Sequence, residues 1–205
     1  MRVYNWLIGF GATLIAFAII ALPAGAQAQV QRLRGTIVDL DGRVLTVATR
    51  DGPQVKILLD EKYTVGAVKK VDLTAIAPGT FVGIAADPMP GGGWKAIEVL
   101  LLPESARGSG EGHYPWDLTP DSSMTNATVT AVVTRTDGHM ASLKYKDGSV
   151  DILIPDGIPL VTFTAADRSD VKPGAFVLLG ATKQADGTLT ATRLTVEKDG
   201  VKPPM

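Results

Sequence analysis

Leu33–Asp60 reads LRGTIVDLDGRVLTVATRDGPQVKILLD, three apolar runs separated by two Asp-Gly pairs. An Asp-Gly pair between apolar runs is a strong short-range signal for a β-hairpin. In the third run, Val55, Ile57 and Leu59 occupy alternate positions and therefore share one face of a strand. The stretch predicts three consecutive antiparallel strands.

The same pattern recurs about 95 residues later in the chain. The pairs Asp137-Gly138 and Asp147-Gly148 repeat the first two turns, and Pro173-Gly174 repeats Pro78-Gly79. Both Pro-Gly pairs are followed by an aromatic residue and a valine after one intervening position. Because the turn residues and the apolar phase agree along the whole length, the chain is interpreted as two copies of one β-pattern.

Each copy is predicted to contain five strands and one short helical turn. Asp72 and Asp167 stand where an N-cap would start that turn before the Pro-Gly pair. In the last strand of each copy the apolar phase shifts, which predicts a β-bulge. Five short antiparallel strands with these features are typical of a partly closed, OB-like barrel. The predicted fold class is all-β, with two tandem OB-like β-barrels after a signal peptide.

The two copies resemble exported bacterial OB-like β-barrel domains of unknown function. The resemblance rests on turn, strand and core positions of the first copy: Gly35, Asp51-Gly52, Val55, Ile57, Pro78-Gly79, Phe81-Val82 and Ala96. The second copy departs from it, because Ala131 replaces the glycine. Sequences with a similar GEGH-x-PWDL insert also attract a metal-transporter permease label. A permease needs several spanning helices, and this sequence offers one removable apolar segment.

Five segments are predicted along the chain. Residues 1–28 form a signal peptide, 29–104 the first barrel, 105–125 an interdomain insert, 126–199 the second barrel and 200–205 a tail.

An export signal is indicated by the first segment. Arg2 precedes the uncharged apolar run Leu7–Leu22, and small residues then allow cleavage after Ala26 or after Ala28. We therefore expect an exported, periplasmic protein, or one anchored to the inner membrane through this segment if it is not cleaved.

Composition excludes several classes of activity. The 205-residue chain has a formal net charge of -1, which argues against binding nucleic acid through phosphate neutralisation. It has no cysteine, which excludes disulfides, thiolate metal sites and thiol catalysis. No serine-nucleophile elbow or paired-histidine zinc motif is present, so no catalytic residue is assigned.

The insert contains a candidate metal site. Glu111 and His113 alternate, so both side chains would face the same side of an extended segment, and Asp117 follows four residues later. Two carboxylates and an imidazole could hold a divalent ion such as Zn²⁺. The alternative is a surface loop in which His113 bonds to a backbone carbonyl, and no cofactor is then expected.

The insert also contains aromatic candidates. Tyr114 and Trp116 flank Pro115, which favours an extended segment. Together with Trp94 they could form a stacking platform for a ligand. The alternative is a clasp, in which Trp116 pins the insert across the junction between the two barrels.

Three hypotheses about function follow. The first is a non-catalytic binding or structural module that recognises a small molecule, a glycan or an envelope protein. The second is a periplasmic metal-handling accessory protein that uses Glu111, His113 and Asp117. The third is an envelope enzyme with an unrecognised site.

Overall fold

The computed structural model describes residues 30–50 and 52–204. The predicted signal peptide, Asp51 and Met205 lie outside the described residues. The structure is all-β and contains a closed five-stranded barrel, as expected for the fold class. Within the described residues, no helix has the length and apolarity needed to cross a membrane.

Twelve strands and three short 3-10 turns make up the described structure. The strands are β1 (Val30–Asp41), β2 (Val44–Thr49), β3 (Gln54–Lys70), β4 (Phe81–Pro88), β5 (Trp94–Leu101), β6 (Gly112–Pro115), β7 (Ser123–Arg135), β8 (Gly138–Tyr145), β9 (Gly148–Ile154), β10 (Leu160–Ala165), β11 (Phe176–Lys183) and β12 (Leu189–Val196). The 3-10 turns are Leu73–Ala75, Glu104–Ala106 and Arg168–Asp170.

One closed circuit of strands, called ring 1, consists of β1, β2, β3, β12 and β11 in that order. β1 pairs with β2 and β2 with β3, both antiparallel. β3 then pairs in parallel with β12, which pairs with β11, and β11 returns to β1. Its interior is apolar, and Leu45, Val47, Ile57 and Leu194 are among the fully buried side chains.

A second circuit, called ring 2, consists of β4, β5, β9, β8 and β7. β4 pairs antiparallel with both β5 and β7, and β8 pairs antiparallel with both β7 and β9. The parallel contact between β5 and β9 that completes the circuit is short, Trp94 with Ile152 and Lys95 with Leu153. Ring 2 has a separate apolar core that includes Ile84, Val99 and Leu143.

The two rings exchange strands between the two halves of the chain. Ring 1 takes its first three strands from the first copy and its last two, β11 and β12, from the second copy. Ring 2 takes β4 and β5 from the first copy and β7, β8 and β9 from the second. This arrangement differs from the expectation that residues 29–104 and 126–199 each close into a barrel of their own.

The path of β3 explains the exchange. It was expected to end near Asp60, but it continues to Lys70 because residues 61–70 contain no proline and keep strand-forming residues. Its pairing with β12 shifts by three residues between Leu59 and Thr64 and then continues to Ala67, so only the last residues of β3 leave ring 1 and lead the chain toward β4 of ring 2. Its far end pairs antiparallel with β10, which makes the return crossing.

The second copy crosses between the rings with two shorter strands, β9 and β10, in place of one long strand. β9 and β10 are separated by a segment that contains Pro155, Gly157 and Pro159. Proline cannot donate to a strand ladder, so the ladder breaks at this point. A small apolar cluster of Val68, Leu100 and Val161 packs where the two crossing segments meet.

Several local expectations are confirmed. A 3-10 turn follows both Asp72 and Asp167, and the turn after Asp167 has a capping box with Asp170. Register shifts occur in the pairings of β5 and of β12, where the apolar phase predicted bulges. The first hairpin turn is formed by residues 42–43, so Gly42 of the Asp41-Gly42 pair lies in the turn and Asp41 is the last residue of β1.

The insert is more ordered than a linker. Its residues 112–115 form β6, which pairs antiparallel with β7 outside the ring 2 circuit. The strand β7 begins at Ser123, inside the predicted insert 105–125, because this part of the chain pairs with β4 on one side and β6 on the other.

Candidate functional site

The insert is fastened to ring 2 by its own turn. After β6, the Trp116 amide donates to the Ser122 carbonyl oxygen at 2.7 Å, and the Ser122 hydroxyl donates to the Thr119 carbonyl oxygen at 3.0 Å. The Thr119 hydroxyl donates to the carboxylate of Asp87 on β4. These bonds fix residues 116–122 as a compact turn at one edge of ring 2.

The same turn contacts ring 1 through three arginines. Asp117 Oδ1 accepts hydrogen bonds from Arg34 Nη2 at 2.8 Å and from Arg32 Nε at 3.2 Å. Arg50 Nη1 donates to the Leu118 carbonyl oxygen at 3.2 Å. The turn therefore joins ring 2 to β1 and to the end of the first hairpin of ring 1.

Trp116 lies at the centre of this contact. The guanidinium carbon of Arg32 is 3.7 Å from the centroid of the indole ring, a close cation–π geometry. The Tyr114 ring also contacts the indole, in an edge-on arrangement with centroids 6.1 Å apart. Trp116 also lines three separate grooves of the surface. Trp116 therefore contacts Arg32 of ring 1 and Tyr114 of the insert, while part of the residue faces open grooves.

The charge of Asp117 is held by its arginine partners. Partial burial raises the pKa of this carboxyl, but the hydrogen bond and charge of Arg34, reinforced by Arg32, bring the pKa below its usual value. Arg34 is only 7% exposed, so its ion pair with Asp117 is shielded on the arginine side.

A buried carboxylate lies between the rings, on β5. Glu98 is 1% exposed, and neither of its carboxylate oxygens has a hydrogen-bond partner in the described structure. Burial raises its pKa to about 8, while the positive charge of Arg34 on β1 acts in the opposite direction. At neutral pH Glu98 is therefore mainly protonated, which reduces the cost of its burial.

Glu98 belongs to a cross-strand row that leads back to the insert. In the register of ring 2, Glu98 faces Ala85, Ala85 faces Met124, and Met124 faces Tyr114 of β6. Side chains directly opposite each other on neighbouring strands share a face of the sheet. Arg34 Nε and Trp116 Nε1 are also buried without partners in the described structure, so unsatisfied polar atoms concentrate at this junction.

An aromatic groove of about 420 Å³ lies beside the insert. His113 meets Trp94 edge-on with ring centroids 4.9 Å apart, and His113 Nδ1 is 2.8 Å from Thr125 Oγ1. Burial lowers the pKa of His113, which favours the neutral imidazole. The groove is lined by Trp94, His113, Tyr114, Pro115, Trp116, Pro120, Asp121, Ser122 and Ser123.

The three predicted metal ligands have different surroundings. His113 packs on Trp94, Asp117 binds two arginines, and Glu111 is exposed near the Arg107 guanidinium. Within residues 30–50 and 52–204, no group of three histidine or acidic side chains is placed to hold a metal ion.

Arg34 and Glu98 were not identified from the sequence. Arg32 and Arg34 occupy alternate positions of β1, on the face opposite to the core-facing Ile37, so they share the outer face of ring 1. Glu98 interrupts the apolar run Ala96–Leu101, and a lone charge in such a run is a signal for a buried carboxylate.

Comparison of the chain with protein-family models finds no match, and comparison with the curated proteins and with the solved structures finds none either.

Proposed function

We propose that this protein is an exported, non-catalytic binding module that recognises a saccharide in the aromatic groove beside the insert. Export to the periplasm is inferred from the sequence of residues 1–28. In this proposal the insert has two roles, because it clasps the two rings together and supplies one wall of the groove.

The scaffold we propose is a pair of OB-like barrels with exchanged strands. In ring 1 the first strand pairs antiparallel with the fourth, and the third pairs in parallel with the fifth, counting β11 and β12 as the fourth and fifth. Ring 2 has the same order with β4 and β5 in those positions. Both orders are consistent with a five-stranded Greek-key barrel of the OB type.

The observation that carries the proposal is the composition of the groove. Four ring-bearing side chains, Trp94, His113, Tyr114 and Trp116, line it together with the polar side chains of Asp121 and the neighbouring serines. Aromatic surfaces can pack against the apolar face of a sugar ring, while a few polar groups fix its orientation. Asp121 is exposed and makes no side-chain hydrogen bond to another described residue, so its carboxylate is available to sugar hydroxyls.

Calorimetric titration of the purified chain with chitotriose, maltotriose and cellotriose tests the proposal. At least one trisaccharide should bind saturably, and His113→Ala or Asp121→Ala should weaken that binding about tenfold or more. Asp156→Ala is a matched control on an exposed loop away from the groove, and it should leave the affinity unchanged. Absence of saturable binding to any of the three sugars, or binding that neither groove variant weakens, would rule the proposal out.

A further inference from the structure

A second groove, of about 340 Å³, lies on the outer face of ring 1. It is separate from the saccharide groove apart from Trp116, which lines both. Its other walls come from β1, β11 and β12. Among the lining residues are Arg32, Leu178, Gly180, Arg193 and Thr195.

The floor of this groove is apolar and recessed. In the register of ring 1, Arg32 faces Gly180 and Leu178 faces Thr195. Gly180 lines the groove without a side chain, and Val30 borders this position, since an added Cβ at Gly180 would lie 3.3 Å from Val30 Cγ1. The recess therefore offers the side chain of Leu178 and the indole of Trp116 to a small apolar body.

The rim of the groove is positive. Arg32 and Arg193 both line it, and no aspartate or glutamate does. The Arg193 side chain is exposed and makes no hydrogen bond or ion pair with any residue between 30 and 204 that the structure describes. Arg32 Nε donates a hydrogen bond to Asp117, and the two terminal nitrogens of Arg32 have no hydrogen-bond partner among the described residues.

We infer that this groove binds a small organic acid, with its carboxylate held by Arg32 and Arg193 and its apolar body in the recess beside Leu178 and Trp116. Guanidinium groups match the planar, two-oxygen geometry of a carboxylate. The ligand is oriented with its carboxylate at the rim and its apolar body in the recess, because the arginines and the apolar surface occupy these separate parts of the groove. This inference does not depend on the saccharide proposal, because the ligand chemistry differs and the two grooves share only Trp116 among their lining residues.

The probe is 2-naphthoate, compared with the neutral 2-naphthamide, in calorimetry and in amide and indole NMR spectra. Naphthoate should bind and shift the Trp116 indole and Gly180 amide signals. The neutral amide should bind at least about tenfold more weakly. Arg193→Gln should weaken naphthoate binding about tenfold, because it removes one of the two cations that hold the carboxylate. It should not disturb folding, since this exposed side chain has no structural contact to lose. Lys183→Gln, an exposed cation on the same strand as Gly180, should have no effect.

Equal affinity for naphthoate and naphthamide would overturn the inference, as would an unchanged affinity in Arg193→Gln. Shifts confined to the signals of Trp94 and His113 would also overturn it, because they would place the probe in the other groove. His113→Ala separates the two proposals, since it should weaken trisaccharide binding and leave naphthoate binding intact.

Discussion

Arg34 Nη2 donates a hydrogen bond of 2.8 Å to Asp117 Oδ1, and this bond joins two parts of the chain that belong to different rings. Arg34 lies on β1 of ring 1, whereas Asp117 lies in the turn that follows β6 on ring 2. The arginine is 7% exposed, so the pair has less access to water than a typical surface ion pair. Its position makes the insert a structural link between the rings.

Asp117→Ala should therefore destabilise the protein by about 2 kcal/mol, the range for a hydrogen bond to a charged group. The physical reason is that the buried Arg34 guanidinium loses its acceptor and keeps its charge. Asp121→Ala, four residues away and exposed, is the matched control and should change the free energy of unfolding by less than about 0.5 kcal/mol. Urea unfolding of the three proteins measures this, and equal stabilities would contradict the link.

Trp116→Ala should cost about 3 kcal/mol, because it removes a large aromatic side chain together with its stacking on Arg32. Trp116→Phe should cost much less, since the indole Nε1 that it removes has no hydrogen-bond partner in the described structure. Thermal and urea unfolding of both variants check this order. A wild-type melting temperature for Trp116→Ala would show that the residue does not act as a clasp.

Glu98 predicts a specific dependence of stability on pH. Its pKa is raised from 4.5 to about 8, so the folded protein binds this proton more tightly than the unfolded chain does. The stabilising contribution of the neutral acid is complete below the unfolded pKa and is lost as the pH rises through the folded pKa. Above about pH 8, Glu98→Gln should therefore be more stable than the wild type, by on the order of 3 kcal/mol.

Urea unfolding of wild type and Glu98→Gln at about pH 5 and about pH 9 tests this difference. The free energy of unfolding of Glu98→Gln should exceed that of the wild type only slightly at the lower pH and clearly at the higher pH. Glu111→Gln replaces an exposed glutamate and serves as the control. A constant difference between Glu98→Gln and the wild type at both pH values would contradict the predicted titration.

Gly35 on β1 is predicted to tolerate no side chain. An added Cβ would overlap the carbonyl oxygen of Ala48 and lie 2.8 Å from Val47 Cγ1 on the paired strand β2. Gly35→Ala should destabilise the protein by about 3 kcal/mol, at the upper end of the usual cost of overpacking. Gly66→Ala is the control, because its nearest contact is the Leu194 carbonyl oxygen at 3.9 Å, and its unfolding midpoint should match or exceed that of the wild type.

Much of the secondary structure follows from local chemistry. Apolar alternation and the Asp-Gly pairs predict the hairpins that became β1–β3 and β7–β9, because turn chemistry and side-chain period act within a few residues. The phase shift at Ile97 predicts the bulge on β5 for the same reason. Features of this kind depend on neighbours in the sequence and can be read from it.

The exchange of strands between the rings could not be predicted in that way. The two copies carry the same pattern of faces, so β4 and β11 present similar apolar stripes to either ring. The outcome depends on whether the chain after Asp60 turns back or continues as a strand to Lys70, and the sequence of a continuous strand does not reveal which ring follows it. The environment of Arg34 and Glu98 depends on contacts that are distant in sequence, because Arg34 of ring 1 binds Asp117 of the insert and its charge acts on Glu98 of ring 2.

The exchange itself is tested most directly by engineered disulfides, which are unambiguous in a chain without cysteine. Leu58 on β3 faces Thr190 on β12 across the parallel pairing, so Leu58→Cys with Thr190→Cys should form an intramolecular disulfide on mild oxidation. Lys95 occupies the position in the first copy that matches Thr190, but it faces Leu153 in ring 2. Leu58→Cys with Lys95→Cys should therefore stay reduced in the monomer. Ready crosslinking of Leu58 to Lys95, with none to Thr190, would mean that each copy closes on itself and would contradict the exchanged fold.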